Sequence, residues 1–214
     1  RLLRQTCPEY AGKVRTAYLG TQDFGVGPRN GGSVFHIVSC CHIAPVKRVD
    51  LLARSLAQLA GDGLVLKWTH FGAGEGLEEL KQYAAQNLGF MECRFAGEVK
   101  NRKLMDFYAK TPVDCFVNTS SSEGLPVSIM EACSFGIPVL ATNVGGTSEI
   151  VREGKNGFLL KPDFAPEELA RRIRELIRMP QSEKLALRGA SRQIWQENFC
   201  SETNYQKFAR ALLA

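Results

Sequence analysis

Several absences narrow this 214-residue chain before any motif is considered. No Asp-x-Asp pair occurs, so the arrangement that grips a metal–diphosphate between two carboxylates is missing. No glycine loop ends in GKS or GKT, which argues against a P-loop nucleotide hydrolase. There is no CxxC, the seven cysteines are odd in number, and Cys40, Cys41, Cys93, Cys115 and Cys133 lie in or beside apolar runs. Buried thiols in a reducing compartment fit that pattern better than a disulfide framework or a zinc site. His36, His42 and His70 fall in or at the ends of predicted strands without ligand-like spacing. No signal peptide, apolar run of ~18 residues, internal repeat or low-complexity segment is present. The net charge of +5 suits an anionic ligand or anionic lipid, but no basic block is interleaved with aromatics, so nucleic acid is disfavoured. Arg171, Arg172, Arg174 and Arg178 alternate with Leu169, Ile173, Leu176 and Ile177 and read as a solvated helix face, with membrane-surface contact as the weaker alternative. The first residue is Arg1 rather than methionine, so the chain reads as a fragment of something longer.

What is there is an alternation of strand-length apolar runs with amphipathic segments. Strands are predicted over Val14–Leu19, Val34–Cys40, Leu64–Phe71, Glu92–Ala96, Asp114–Asn118 and Ile137–Ala141. Helices are predicted over Val49–Leu59, Gly76–Leu88, Lys103–Ala109, Val127–Phe135 and Thr147–Arg152. Near-continuous apolar strands alternating with helices predict an α/β fold: a doubly wound, Rossmann-like parallel sheet covered on both faces, with ligands at the carboxyl ends of the strands. From Pro166 the pattern is wholly helical, with segments Pro166–Met179, Ser182–Phe199 and Ser201–Leu213 forming a tail. Residues Gly20–Gly32 are glycine-rich and patternless and read as a linker or long loop.

The most informative stretch is SSSEGLPVSIMEACSFGIPVLATNVGGTSE, Ser120 to Glu149. It sets Glu123 and Glu131 eight positions apart across a turn and the start of a helix. Pro126 suits the first helical position, where its missing N–H costs nothing. The N–H groups of Val127 and Ser128 then project from the helix N-terminus and, with the helix dipole, favour an anion such as a diphosphate. Glu131, one turn in, can accept hydrogen bonds from a vicinal diol such as ribose, while Glu123 beside Gly124 can face whatever the phosphates carry. The plainer alternatives are a solvated helix glutamate and a helix cap. Lys47 and Arg48, in HIAPVKRVD, fall at the same predicted sheet edge; a lysine there can pair with phosphate for ~1.5–3 kcal/mol, or can simply be a surface residue. The Gly72–Gly76 turn follows a strand and opens a helix but lacks the GxGxxG spacing, so a plain tight turn fits it as well. FAGEV, Phe95 to Val99, ends another strand at this edge.

Taken in order, PVKRVD, FGAGEG, FAGEV, EGLPVSIME and GGTSEIV resemble the C-terminal domain of the GT-B glycosyltransferases, specifically the retaining family-4 group. The match runs from about Val34 to Leu160, with residues 1–33 as interdomain crossover and 34–214 as the donor-binding domain. The resemblance implies a retaining, metal-independent transfer of sugar from a nucleoside-diphosphate sugar, UDP- or GDP-linked, to a glycan or lipid-linked acceptor. Glu131 would hold the ribose hydroxyls, Glu123 would contact the donor sugar near its reacting carbon, and Lys47 would neutralise the departing diphosphate with the N–H groups at Val127 and Ser128. Gly72 and Gly74 would let the backbone approach the nucleotide, and Glu98 with Val99 would border the base. His42 stands where the family usually has an arginine, leaving Arg48 or another residue to compensate at the phosphate, and EGLP replaces the more common EGFG. The N-terminal, acceptor-binding domain is not encoded in these residues, so the chain is expected to bind donor and turn over little alone. A cytoplasmic place, possible at the inner membrane face with peripheral membrane contact, follows by analogy. The rivals are a GT-B-type nucleotide-sugar epimerase and a non-enzymatic sensing module; a Rossmann dehydrogenase is disfavoured by the glycine spacing.

Overall fold

A computed structural model describes residues 2–213. A short helix α1 (Leu2–Thr6) and a 3-10 turn over Pro8–Lys13 precede the first strand, β1 (Phe35–Cys40). Then follow α2 (Val49–Ala57), β2 (Leu66–Phe71), α3 (Leu77–Asn87), β3 (Glu92–Phe95), α4 (Asn101–Lys110) and β4 (Cys115–Asn118). The second half continues with α5 (Val127–Ser134), β5 (Val139–Thr142), α6 (Thr147–Ile150) and β6 (Gly157–Leu160). Three helices close the described chain: α7 (Pro166–Arg178), α8 (Gln181–Asn198) and α9 (Ser201–Leu213).

All six strands pair in parallel, in the order β3-β2-β1-β4-β5-β6. Alternate residues along each strand face opposite sides, so a sheet buried on both faces needs two cores. Ile37, Val117 and Leu140 enter one core with Leu52, Leu56 of α2 and Leu169, Ile173 of α7. Val38, Phe116 and Val139 enter the other with Met105 and Tyr108 of α4, Ile129 and Met130 of α5, and Trp195 of α8. The sheet is therefore doubly wound, with helices on both faces. The winding direction reverses between β1 and β4, and the loops leaving those two strands flank the crevice where such sheets bind ligands.

Three sequence expectations need correction. Residues 14–19 form no strand: the backbone near them finds partners at the α8–α9 corner instead, with the Thr21 N–H donating to the Phe199 carbonyl (2.9 Å) and the Ser201 N–H to that of Thr21 (3.1 Å). The glycine-rich stretch is not a free linker. Gly27 is buried, its N–H donates to the Phe135 carbonyl (3.0 Å), and Arg188 bonds the Gly27 and Pro28 carbonyls. The strand β6 escaped notice because it opens on a glycine just after the Gly154 turn, so the sequence there reads as a turn. A Cβ on Gly157 would stand 1.8 Å from the Val139 carbonyl oxygen, so the strand depends on that glycine. The arginines of α7 do lie on its outer face, held by Arg171–Glu175, Arg172–Glu153 and Arg174–Asp62 ion pairs. Among the described residues no helix is long and apolar enough to cross a membrane.

Candidate functional site

The loops after β1 and β4 are stitched together before any side chain is considered. The Ser121 N–H donates to the Val46 carbonyl (2.8 Å), and the Thr119 hydroxyl donates to the carbonyls of Lys47 (3.0 Å) and Arg48 (2.9 Å). Arg48 has φ +47, the sole positive φ of a non-glycine among the described residues. That conformation is sparsely populated and persists because the surroundings over-determine it. Its guanidinium donates to the carbonyls of Thr119 (2.7 Å), Pro162 (2.7 Å) and Ser120 (3.3 Å) and lies over the Phe164 ring. Arg48 thus holds the crevice wall rather than offering a free guanidinium to it, which differs from its expected place as a phosphate contact. The sequence read its charge; the carbonyls that engage it come from strand ends far along the chain.

Next to it, Lys47 and Glu123 meet. Nζ of Lys47 lies 2.8 Å from Oε1 of Glu123, whose side chain is only 9% exposed. Asn118 at the end of β4 donates its amide to the same oxygen (3.1 Å), while its own Oδ1 accepts the Ser120 N–H (3.0 Å), which fixes the amide's orientation. Burial pushes the Glu123 carboxyl up, but hydrogen bonds from Lys47, Ser120 and Asn118, with the lysine's charge, outweigh it and leave the group below its ordinary value. The result is a fixed carboxylate with a cation beside it.

Glu131 sits on α5 with a different neighbour. Asn101, the first residue of α4, donates its amide nitrogen to Oε1 of Glu131 at 2.6 Å. Among the described residues no cation pairs with this carboxylate, and burial raises its pKa despite the amide bond. Helix α5 starts at Val127 with Pro126 as its N-cap, one position earlier than the helical place expected for the proline. Ile129 and Met130 are the first residues to donate back, to the Pro126 carbonyl, so the N–H groups of Val127 and Ser128 lie ahead of the helical ladder at its open end. Val127 is 51% exposed, and Gly124 and His42 are exposed as well.

The glycine turns serve the protein's own close packing. A Cβ on Gly72 would stand 1.9 Å from the Cys41 carbonyl oxygen, and one on Gly74 would stand 2.2 Å from that of Ile43. The two glycines thus let the turn after β2 lie against the β1 loop, which the Ile43 N–H ties to the Ala73 carbonyl (2.8 Å). Gly145, with φ +54, does the same beneath the acidic loop: its Cβ would stand 1.8 Å from the Glu123 carbonyl oxygen. Gly146 donates its N–H to the Gly124 carbonyl at 2.7 Å. Glu98 is exposed and Val99 half-buried after β3, at the same edge of the sheet but with no bond to the acidic loop.

Under the Gly72 turn lies a buried chain of polar groups that sequence reasoning passed over. The Trp68 indole N–H donates to Ser39 Oγ (2.9 Å), and Ser39 shares a hydrogen bond with His70 Nδ1 (2.8 Å). Burial brings His70 down to about 4, so it is neutral at physiological pH. Cys40 and Cys41 close β1; burial pushes both up to about 12, so they are thiols rather than nucleophilic thiolates. Asn118 and Asn101 were missed too. The only signal for Asn118 was the run of small polar residues Asn118–Ser122 directly after an apolar strand, and Asn101 had none. Among the described residues no group of three His, Cys, Asp or Glu side chains could hold a metal ion.

Residues 31–193 match the family model described as Glycosyl transferases group 1. Over 118 residues the chain is 39% identical to the O-antigen biosynthesis glycosyltransferase WbnH of Escherichia coli, a stretch covering 54% of this chain and 30% of that protein. The D-inositol 3-phosphate glycosyltransferase of Kribbella flavida is 33% identical over 144 residues, 63% of this chain and 33% of that one. Among solved structures, HepE of Anabaena in complex with UDP and glucose matches with a TM-score of 0.72 at 25% identity, covering 85% of this chain and 49% of that chain. The chain spans about a third of the length of these curated relatives and about half that of the solved structure.

Proposed function

The chain belongs to the glycosyl transferases group 1 family, and on that premise we propose that it is the donor-binding half of a retaining, metal-independent glycosyltransferase. The donor is a nucleoside-diphosphate sugar and the acceptor a glycan or lipid-linked glycan. The observation that carries this reading is the Lys47–Glu123 pair at the reversal point of the sheet, beside the open N-terminus of α5. A diphosphate set against Val127 and Ser128 would compete for the lysine, taking it from the carboxylate. Glu123, still held by Asn118, would then be free to accept a hydrogen bond from the donor sugar. Lys47 would offset the charge that grows on the departing diphosphate, the electrostatic task on which such a transfer rests. Glu131 would hold the ribose diol. Uridine is the favoured base, supported by the UDP in the HepE complex.

In this reading residues 1–33 are the crossover from an acceptor-binding half and residues 34–214 are the donor domain. Turnover needs both halves to close on the substrates and exclude water. The O-antigen relative supports a polysaccharide acceptor; a cytoplasmic place at the inner face of a membrane belongs to the same reading.

Calorimetric titration of the 214-residue chain with UDP, GDP, ADP and NAD, without and then with magnesium, tests this. One nucleoside diphosphate should bind without metal, and no sugar transfer should follow. Binding that requires magnesium overturns the metal-independent site, and silence from all four overturns the donor-half reading.

A further inference from the structure

The two glutamates are each held by an asparagine, and the second of these, exposed at the start of α4, does not cap its own helix. Asparagine at a helix start is favoured as N-cap, where its oxygen accepts a backbone N–H. Asn101 does not do this: Lys100 is the N-cap of α4, and no side-chain cap forms. The Asn101 amide instead reaches across to α5 and donates to Oε1 of Glu131 at 2.6 Å. The two helices that meet there share one core, Leu104, Met105 and Tyr108 of α4 packing with Ile129, Met130 and Cys133 of α5. The donor and acceptor of this bond are therefore carried on two helices anchored in the same core, a condition for holding a side chain in one orientation.

We infer that Asn101 is a positioning residue for nucleotide recognition, orienting Glu131 so that the carboxylate selects a ribose over a 2′-deoxyribose. This rests on the assignment of Glu131 to the ribose. An ionised carboxylate offers about four lone-pair sites on its two oxygens. Asn101 occupies one on Oε1, leaving Oε2 and the remaining site on Oε1 directed at a vicinal diol. The amide also favours the charged form, which burial alone opposes. A protonated carboxyl turns one oxygen into a donor and keeps only weaker acceptor capacity, so it holds a vicinal diol less well. A ligand lacking the 2′-hydroxyl uses only part of this arrangement, so it registers the loss of Asn101 less.

The experiment is the affinity of the full chain for UDP and for 2′-deoxy-UDP, measured calorimetrically in wild type, Asn101→Ala, Asn101→Asp and Glu131→Ala, with thermal unfolding of each as a check on folding. Removing one charge-assisted bond should weaken UDP by about five- to tenfold and 2′-deoxy-UDP by less than about twofold. The ratio of the two affinities would then fall toward that of Glu131→Ala. Asn101→Asp sets a like charge beside Glu131 and should lower the ratio at least as far, most strongly at high pH. A general structural role would weaken both nucleotides equally. If the ratio holds in Asn101→Ala while collapsing in Glu131→Ala, Asn101 is only a surface contact and the inference is overturned. If Glu131→Ala leaves the ratio of wild type, the ribose assignment itself is wrong, and the inference goes with it.

Discussion

Glu123 lies in a loop and Glu131 in a helix, eight residues apart in the same segment, and the fold gives the two carboxyls opposite electrostatics. The loop carboxylate meets Lys47 and Asn118 and is held below its ordinary value. Among the described residues the helix carboxylate meets the neutral amide of Asn101 and no cation, and burial raises it. Separation of two like groups by environment is how one site assigns them different tasks. A carboxylate with a cation at hand suits a place where phosphate and sugar meet and charge must be exchanged. A carboxylate held by an amide suits hydroxyl recognition, which needs acceptors and no counter-charge.

The largest effect should come from removing the loop's support while sparing the helix. Gly145→Ala places a Cβ in a left-handed backbone position against the Glu123 carbonyl oxygen. It should destabilise the chain by more than about 2 kcal/mol. Calorimetric unfolding measures that cost. Retention of nucleoside binding through Glu131, with loss of the diphosphate's advantage, would separate the two regions; equal loss of both would show that they form a single unit.

A smaller change sharpens the division chemically. Lys47→Ala should cost a diphosphate about 1.5–3 kcal/mol, roughly tenfold to a hundredfold, and cost the corresponding nucleoside little. Titrating UDP and uridine in parallel reads this directly. A uniform loss would remove Lys47 from the phosphate.

The smallest effect is the order of titration. From the ordinary value of 4.5, Glu123 is lowered and Glu131 raised. As pH falls Glu131 should therefore take its proton first, followed by Glu123. Stability supplied by the Glu123 contacts is present above 4.5 and is lost as pH drops through its lowered value. Glu131 has the opposite sign: a raised value means that protonation relieves a cost of burial. Carbon-detected NMR of the two carboxyls would show the order, and a reversed order would cancel the contrast.

Much of this was legible beforehand, for reasons that can be named. Strands β1 to β5 were found because apolar runs bounded by turn residues report burial on both faces. Strand β6 was lost to its opening glycine, not to its length, since β3, β4 and β5 are as short. Residues 14–19 were misread because β-prone residues such as Val14 and Tyr18 form a strand only beside a neighbouring strand, and among the described residues none lies next to them; the segment is mostly exposed. Glu123, Glu131 and Lys47 were singled out through motif spacing, and the fold brings Lys47 to Glu123; Asn101 and Asn118 were not, because an asparagine carries no periodic signal. Arg48 was read as a ligand for its charge, and only the fold revealed the carbonyls that engage it.

The sequence by itself determined the alternation of strands and helices, the placing of both glutamates around a helix start, and the glycines that permit tight turns. Each of these is a local matter of spacing, backbone freedom and burial. Tertiary structure alone decided which side chains those carboxylates meet: Lys47 lies 76 positions from Glu123, and Asn101 lies 30 from Glu131. Their meeting follows from β4 pairing with β1 and from α4 and α5 anchoring in the same core, a choice of neighbours made by burying two faces of one sheet at once.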